Sequence, residues 1–317
     1  RDRLRSRGLG DVYKRQKIEL GIYPKKFGEL VMIIGKKRQE VIFNIKRCVK
    51  EKKFNAKVEP DDPVLSKKDR LKLVEKFWAN HNSPFSKAIN ILARGILNIG
   101  TPLLTLNTEI DNPESLSKLS SAIVTCNHYN QFDCLPLKRL AMKYHKRLYF
   151  VIEDTNLKLP NWIGFLMRNI DSIPVTASFR YLGRELPKHL NKIFSKKNRW
   201  IVVYPEQELW LNYRKPRPLQ KGAYYYAAKM NVPIISCFVE IKDTNKQEKL
   251  HPEFNKTRWI LHVLPTIYPD PKLSLAQNIE KMRKVDYLQK KAAYEKYYGK
   301  KLDYTFTDWD IAGYKKK

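Results

Sequence analysis

Apolar residues recur at helical spacing in the first third of the chain and in short continuous runs through its middle. Val41, Ile42, Ile45 and Val49 stand three or four apart, which predicts a surface helix in the basic stretch from Met32 to about Lys57. Pro60 to Pro63 (PDDP) breaks the pattern. A second helix is expected from about Lys67 to Asn80, with Leu71, Val74, Phe77 and Trp78 on one face. Between 85 and 106, Phe85, Ala88, Ile89, Leu92, Ile96, Ile99 and Leu103 form one stripe, and Lys87, Arg94 and Asn98 lie off it. Gly95, Gly100 and Pro102 weaken or end such a helix, and the segment is too interrupted to span a bilayer. Two placements stay open for it: flat in a membrane interface with its cations toward headgroups, or packed as an ordinary amphipathic helix on a core.

Beyond Leu106 short apolar runs alternate with helical patterns. Strands are expected at 121–126, 148–153, 170–175, 200–204, 233–239 and 258–264, and helices at 132–145, 161–168, 178–196 and 219–230. This alternation predicts an α/β fold, a mostly parallel sheet covered by helices, with amphipathic helices at the N-terminal side. Residues 273–298 read as a charged helix carrying tyrosines, and 313–317 (GYKKK) as a frayed basic tail. The expected division is a basic extension over 17–66, one domain over 67–272 that includes the 85–106 helix, and a helical basic tail over 273–317. Residues 1–16 (RDRLRSRGLGDVYKRQ) resemble a translated sequencing adapter, have no hydrophobic period, and are set aside; Met32, the first methionine, is the expected native start.

Composition adds a core and a field. Hydrophobic residues make up 43% of the chain, enough for a packed interior. The formal net charge is +30, spread along the whole length, and stays near +26 without the first sixteen residues. Such a field attracts polyanions, whether nucleic acid or anionic lipid. Cys48, Cys126, Cys134 and Cys237 show no disulfide framework and no secretory segment is visible, as expected of a reducing, cytosolic chain. No uncharged apolar run reaches about 18 residues, so no transmembrane helix is expected.

The candidate chemistry lies where the first strong strand ends. Ile123 to Thr125 runs into Cys126, Asn127 and His128, and Asp133 follows five residues after the histidine. On one continuous helix those two side chains would stand about 140° apart, but a loop or helix start between them brings the carboxylate onto the imidazole. A capped loop explains the pair equally well on these residues alone. Strand-to-helix junctions are where α/β folds put their chemistry.

Four stretches together resemble the signature blocks of the glycerolipid acyltransferases, the lysophosphatidate acyltransferase family. The first is Asn127-His128 with Asp133. The second runs from Leu159-Pro160-Asn161-Trp162-Ile163-Gly164 to Ile173-Pro174-Val175-Thr176, and the third is Val203-Tyr204-Pro205-Glu206-Gln207. The fourth is Asn231-Val232-Pro233-Ile234-Ile235, so the resemblance covers roughly 120–240 in the family's order. It departs from the family pattern after Glu206, where Gln207, Glu208 and Leu209 replace the usual glycine, threonine and arginine, and after Val175, where Thr176 and Ala177 replace a basic residue. Arg180, Arg214, Lys215, Arg217 and Lys221 crowd nearby, and some of these are the candidates to take over anion binding.

The resemblance implies transfer of a fatty acyl group from acyl-CoA or acyl carrier protein to a hydroxyl of a lysophospholipid, with 1-acylglycerol-3-phosphate as first choice of acceptor. Glycerol 3-phosphate or another polar-lipid alcohol is the alternative. His128 would act as general base, since imidazole titrates at about 6.5 in water, and Asp133 would orient it. Asn127, Glu206, Arg180, Arg214, Lys215 and Arg217 would bind substrate, with Glu206 holding acceptor hydroxyls or its own loop. No metal or cofactor is expected besides the acyl donor. An anionic membrane on its cytoplasmic side is the expected location, with the chain peripheral. Two rival readings are weaker. Cys126, His128, Cys134 and His145 have zinc-ligand chemistry but no finger spacing. Tyr224, Tyr225 and Tyr226 with the basic field suggest nucleic acid, yet they sit beside Ala227 and Ala228 on an expected helix, which reads as packing, and no nucleic-acid motif is present. A non-catalytic basic protein that binds nucleic acid or membrane is therefore the alternative function.

Overall fold

The computed structural model describes residues 37–60, 65–112 and 116–315. The adapter-like segment 1–16, the expected start at Met32 and Lys316–Lys317 lie outside them. Seven strands form one sheet in the order β1-β7-β6-β2-β5-β3-β4, where β1 is Glu109–Asp111, β2 Ser121–Thr125, β3 Arg147–Glu153, β4 Ser172–Val175, β5 Arg199–Val203, β6 Ile234–Gln247 and β7 Asn255–Val263. Every neighbouring pair is parallel except β6 and β7. The protein is thus α/β with a mostly parallel sheet, as expected. The helices are α1 (Arg38–Lys50), α2 (Lys67–His81), α3 (Pro84–Leu104), α4 (Cys134–Lys143), α5 (Asn161–Asn169), α6 (Leu186–Phe194), α7 (Gly222–Lys229) and α8 (Leu275–Tyr298).

Local chemistry sets the helix ends. Ser66 and Ser83 accept backbone N–H bonds at the starts of α2 and α3, with Pro84 at the first position of α3. Ser274 and Gln277 form a capping box for α8, which Gly299 closes with φ +62°. The helix expected over 178–196 divides into a wide turn at Tyr181–Glu185 and α6, because Pro187 has no N–H to continue the ladder.

Three expectations are corrected. The helix over Val41–Val49 is no surface element: Val41, Ile45, Cys48 and Val49 are buried with Trp210, Leu211, Tyr213, Phe254 and Ile311. The C-terminal segment is not frayed through Lys315; Ile311 joins that core, the Gly313 N–H donates to Asp243 Oδ1 at 2.6 Å, and Tyr314 bridges Phe254. The helix over 85–106 is continuous through Gly95 and Gly100 and does not pack by its apolar stripe. It meets the protein through Asn90, Ala93 and Thr101, while Phe85 is 75% exposed and Ile99 72%, with Leu92, Ile96 and Leu103 exposed beside them.

Candidate active site

The sheet brings the sequence blocks to one edge. β2, β3, β4 and β5 are parallel, so Cys126-Asn127-His128, Glu153-Asp154, Val175-Thr176 and Tyr204-Pro205-Glu206 all emerge at their C-terminal ends. The fourth block does not join them. Val232 and Ile234 are core residues at the start of β6, and the Pro233 carbonyl accepts from Ile123 N–H at the opposite end of β2.

His128 lies in the loop between β2 and α4, and the turn before α4 folds Asp133 back onto it. The Nδ1···Oδ2 distance is 2.6 Å, and the same oxygen accepts the Tyr129 N–H at 3.2 Å. Asp133 is buried, whereas the imidazole is 20% exposed and stacks on Tyr204 with centroids 4.1 Å apart and planes at 13°. Among the described residues nothing is hydrogen-bonded to Nε2. With Nδ1–H given to Asp133, Nε2 is left with its lone pair toward solvent, the geometry of an oriented base.

The histidine's backbone is clamped by the segment that follows β5. Its N–H donates to Glu206 Oε2 at 3.2 Å, and its carbonyl accepts from the Trp210 N–H at 3.1 Å and Arg217 Nη2 at 3.3 Å. Glu206 and Arg217 form a buried pair: Nε and Nη2 donate to Oε2 at 3.1 and 2.9 Å, and the Arg217 N–H donates to Oε1 at 2.9 Å. Arg217 also donates to the Phe54 carbonyl at 3.0 Å and to that of Glu208, and it lies over the Trp210 ring at 4.5 Å. Glu206 is therefore a carboxylate that holds its own loop, the second of the two roles expected for it.

The other expected substrate contacts divide sharply. Asn127 is buried, with Oδ1 accepting from Val239 N–H at 2.8 Å and Nδ2 donating to the Val239 carbonyl at 3.1 Å, so it pins the loop to β6. Arg214 pairs with Asp243 at 2.6 Å and donates to the Trp309 carbonyl. Lys215 sits between Asp303 at 3.0 Å and Asp310 at 3.1 Å. With Arg217 they form no open phosphate loop. Sequence spacing reports their charge; the fold spends it tying the C-terminal segment and α1 to the histidine loop. Of the five expected cations Arg180 and Lys221 are exposed; Lys221 pairs with Glu280 at 2.5 Å, and Arg180 stands five residues beyond the end of β4 on the same edge as His128.

The thiols add nothing nucleophilic. Burial pushes Cys134 up to about 12 and holds Cys126 well above its ordinary value, so both stay protonated near neutral pH. Tyr224 is buried and donates to Asp286 at 2.5 Å, and Tyr226 donates to the Leu182 carbonyl at 2.8 Å; these are packing residues and no stacking platform.

A group that the sequence reading missed lies beneath the loop. Asp286 and Lys290 of α8 form a wholly buried ion pair. Asp286 accepts from Thr125 at 2.8 Å and Ser236 at 2.5 Å, and Lys290 donates to Thr125 at 3.0 Å. Thr125 and Ser236 are register partners on β2 and β6, so α8 is fastened to the strand end that carries His128. Their i, i+4 spacing is readable in sequence, but their burial is not.

The parallel strands thus bring to their C-terminal ends a carboxylate-oriented histidine, an arrangement whose second ring nitrogen can accept a proton. Residues 107–240 match the family model described as Acyltransferase. That match spans the strands and loops that carry His128, Asp133, Glu206 and Arg217. An uncharacterized acyltransferase of Schizosaccharomyces pombe (strain 972 / ATCC 24843) is 27% identical over 182 residues, 56% of this chain; the chain spans 62% of that relative's length. The crystal structure of the 1-acyl-sn-glycerophosphate (LPA) acyltransferase PlsC from Thermotoga maritima is similar over 75% of this chain and 100% of its own, at 17% identity and a TM-score of 0.46.

Proposed function

We propose that the protein transfers a fatty acyl group from an acyl thioester, acyl-CoA or acyl carrier protein, to the free hydroxyl of a lysophospholipid, with 1-acylglycerol-3-phosphate as acceptor and phosphatidate as product. The observation that carries this reading is the His128–Asp133 pair at the sheet edge, with Nε2 open. In the reaction Nε2 takes the acceptor hydroxyl proton as that oxygen attacks the thioester carbonyl. Asp133 accepts the Nδ1–H bond throughout and stabilises the imidazolium. The tetrahedral intermediate then expels the thiolate, and His128 returns the proton to sulfur, so the enzyme ends unchanged. Arg180 is the cation proposed to meet the acceptor phosphate.

The same reading seats the enzyme on an anionic leaflet through α3. Its outward face is apolar, its net field is positive, and Trp162 and Phe165 of the neighbouring α5 are exposed beside it. Among the described residues no helix is long and apolar enough to cross a membrane.

The test uses the full chain with acyl-CoA and lysophosphatidate presented in vesicles. His128→Ala is expected to lower kcat by about 10²–10⁴-fold with an unchanged far-UV spectrum. Arg180→Ala is expected to raise the acceptor KM while leaving the donor KM unchanged. Full activity in His128→Ala would remove the histidine from the mechanism, and an equal rise in both KM values would remove Arg180 from the acceptor site.

A further inference from the structure

At the other end of the sheet a second group of cations converges with little to neutralise it. A cleft of about 430 Å³ is lined by Arg94 and Asn98 of α3, Lys138 of α4, Lys146 and Arg147 where β3 begins, and Arg199 where β5 begins. The turn that ends α4 creates the convergence. His145 takes a left-handed conformation (φ +53°), the Lys146 N–H returns to the Ala141 carbonyl at 2.8 Å, and the chain enters β3 at once. Arg147 and Arg199 are then register neighbours on adjacent parallel strands. Since β5 runs from Arg199 to the loop that clamps His128, the cleft lies about 15 Å from the acid–base site, one strand length away.

The charges in the cleft are incompletely satisfied. Asp171 takes Arg147 Nε at 2.8 Å and stands 3.4 Å from Arg94 Nε. It is the carboxylate that these cations contact among the described residues. Lys146 donates to neutral oxygens, the Ser117 carbonyl at 3.0 Å and Asn198 Oδ1 at 2.9 Å. Lys138 is only 6% exposed, lines the cleft, and has no ion pair or hydrogen bond among the described residues. Arg199 Nε is buried without a partner. Burial pushes the Lys138 ammonium below its ordinary value against the nearby Asp171 carboxylate, and Arg94 and Arg147 push it the same way as burial. The Arg199 N–H buried without a partner costs free energy that a bound anion would recover, and Lys138 offers beside it an ammonium with no ion pair among the described residues.

We infer that this cleft is a binding site for a phosphate group, separate from the acid–base site, and that a phospholipid headgroup supplies the phosphate. Forked guanidinium donors and a buried ammonium match tetrahedral oxygens. The lipid source follows from the shared helix: α3 places Arg94 and Asn98 in the cleft and Ile91, Leu92, Ile96 and Ile99 on its exposed face. The lipid source rests on the proposed membrane seating of α3; the phosphate site does not, nor does it depend on acyl transfer.

The experiment compares the full chain with Arg94→Gln/Lys138→Gln and with a charge-matched control, Lys246→Gln/Lys249→Gln, at exposed positions away from the cleft. Binding is measured by flotation with phosphatidylcholine vesicles, with and without phosphatidate, and thermal unfolding is measured with and without inorganic phosphate. Each cation near an anionic surface contributes roughly 1 kcal/mol, so the cleft variant is expected to lose about tenfold or more in affinity for phosphatidate vesicles, and the control clearly less. Free phosphate that raises the unfolding temperature of the parent but not of the cleft variant, with equal vesicle binding, would keep the phosphate site and reject the lipid source. Equal losses in both variants, with no phosphate effect on either, would overturn the site. A cleft variant that melts early is replaced by Arg199→Gln, which removes one cleft charge, compared with Lys246→Gln as its single-charge control under the same criteria.

Discussion

Arg217 shows how a residue's charge can be legible while its role is not. In sequence it is the last of three cations in a proline-stiffened stretch and invites a substrate phosphate; in the fold it is buried against Glu206 and holds the His128 carbonyl. His128 and Asp133 were readable because five residues and one turn separate them. The Glu206–Arg217 clamp spans eleven residues, and nothing local shows that Phe54 and Trp210 will close over it. Arg217→Met leaves a buried carboxylate unpaired, so urea unfolding is expected to show about 3–5 kcal/mol less stability, with part regained in Arg217→Met/Glu206→Gln. The loss of kcat should accompany the loss of stability. Unchanged stability with a raised acceptor KM would restore Arg217 as a substrate contact.

At the scale of elements, periodicity located the strands within a few residues but left three things open. β1 is three residues long, too short for any pattern. β6 continues to Gln247 because its hairpin with β7 outruns the rest of the sheet. The amphipathic period of α3 fixes a stripe on the helix and does not say which side the protein takes. The protein takes the narrow side of Asn90, Ala93 and Thr101, whose small or bonded side chains allow close approach; Asn90 donates to the Asn169 carbonyl at 2.9 Å. Ile96→Glu/Ile99→Glu separates the two placements. If the stripe meets lipid, stability is expected to change by no more than about 0.5 kcal/mol while vesicle binding falls by about tenfold or more. A large drop in unfolding temperature would place the stripe in a core.

Across the whole molecule, the parts that looked like extensions in sequence turn out to hold the site. α1 and the 306–314 segment share one core with Trp210 and Tyr213, and α8 fastens β2 through Asp286 and Lys290. Stability should therefore respond as one unit to the weakest titrating group. Two histidines stand out, both beside Trp78 on α2: His189 stacks on it at 3.7 Å, and His81 meets it edge-on at 5.7 Å. Burial holds both below the ordinary histidine value of 6.5; for His81, Arg147, Lys192 and Lys87 act with burial against Asp171, and for His189, Lys192, His81 and Lys188 act against Glu185. A histidine with a depressed folded value binds its proton better when unfolded. Its contribution is thus complete above about 6.5 and is lost as pH falls through the folded value. Asp303 and Glu280, both held down to about 2, share that sign, because they too bind their protons better when unfolded, and they lose their contribution only below about pH 4. Thermal unfolding is expected to be level between about pH 8 and 7 and to decline as pH falls below about 6.5, and His81→Gln/His189→Gln is expected to flatten the onset of that decline while leaving the loss below about pH 4 in place. An unchanged decline in the double variant would assign the neutral-to-acid instability to a group other than the Trp78 histidines.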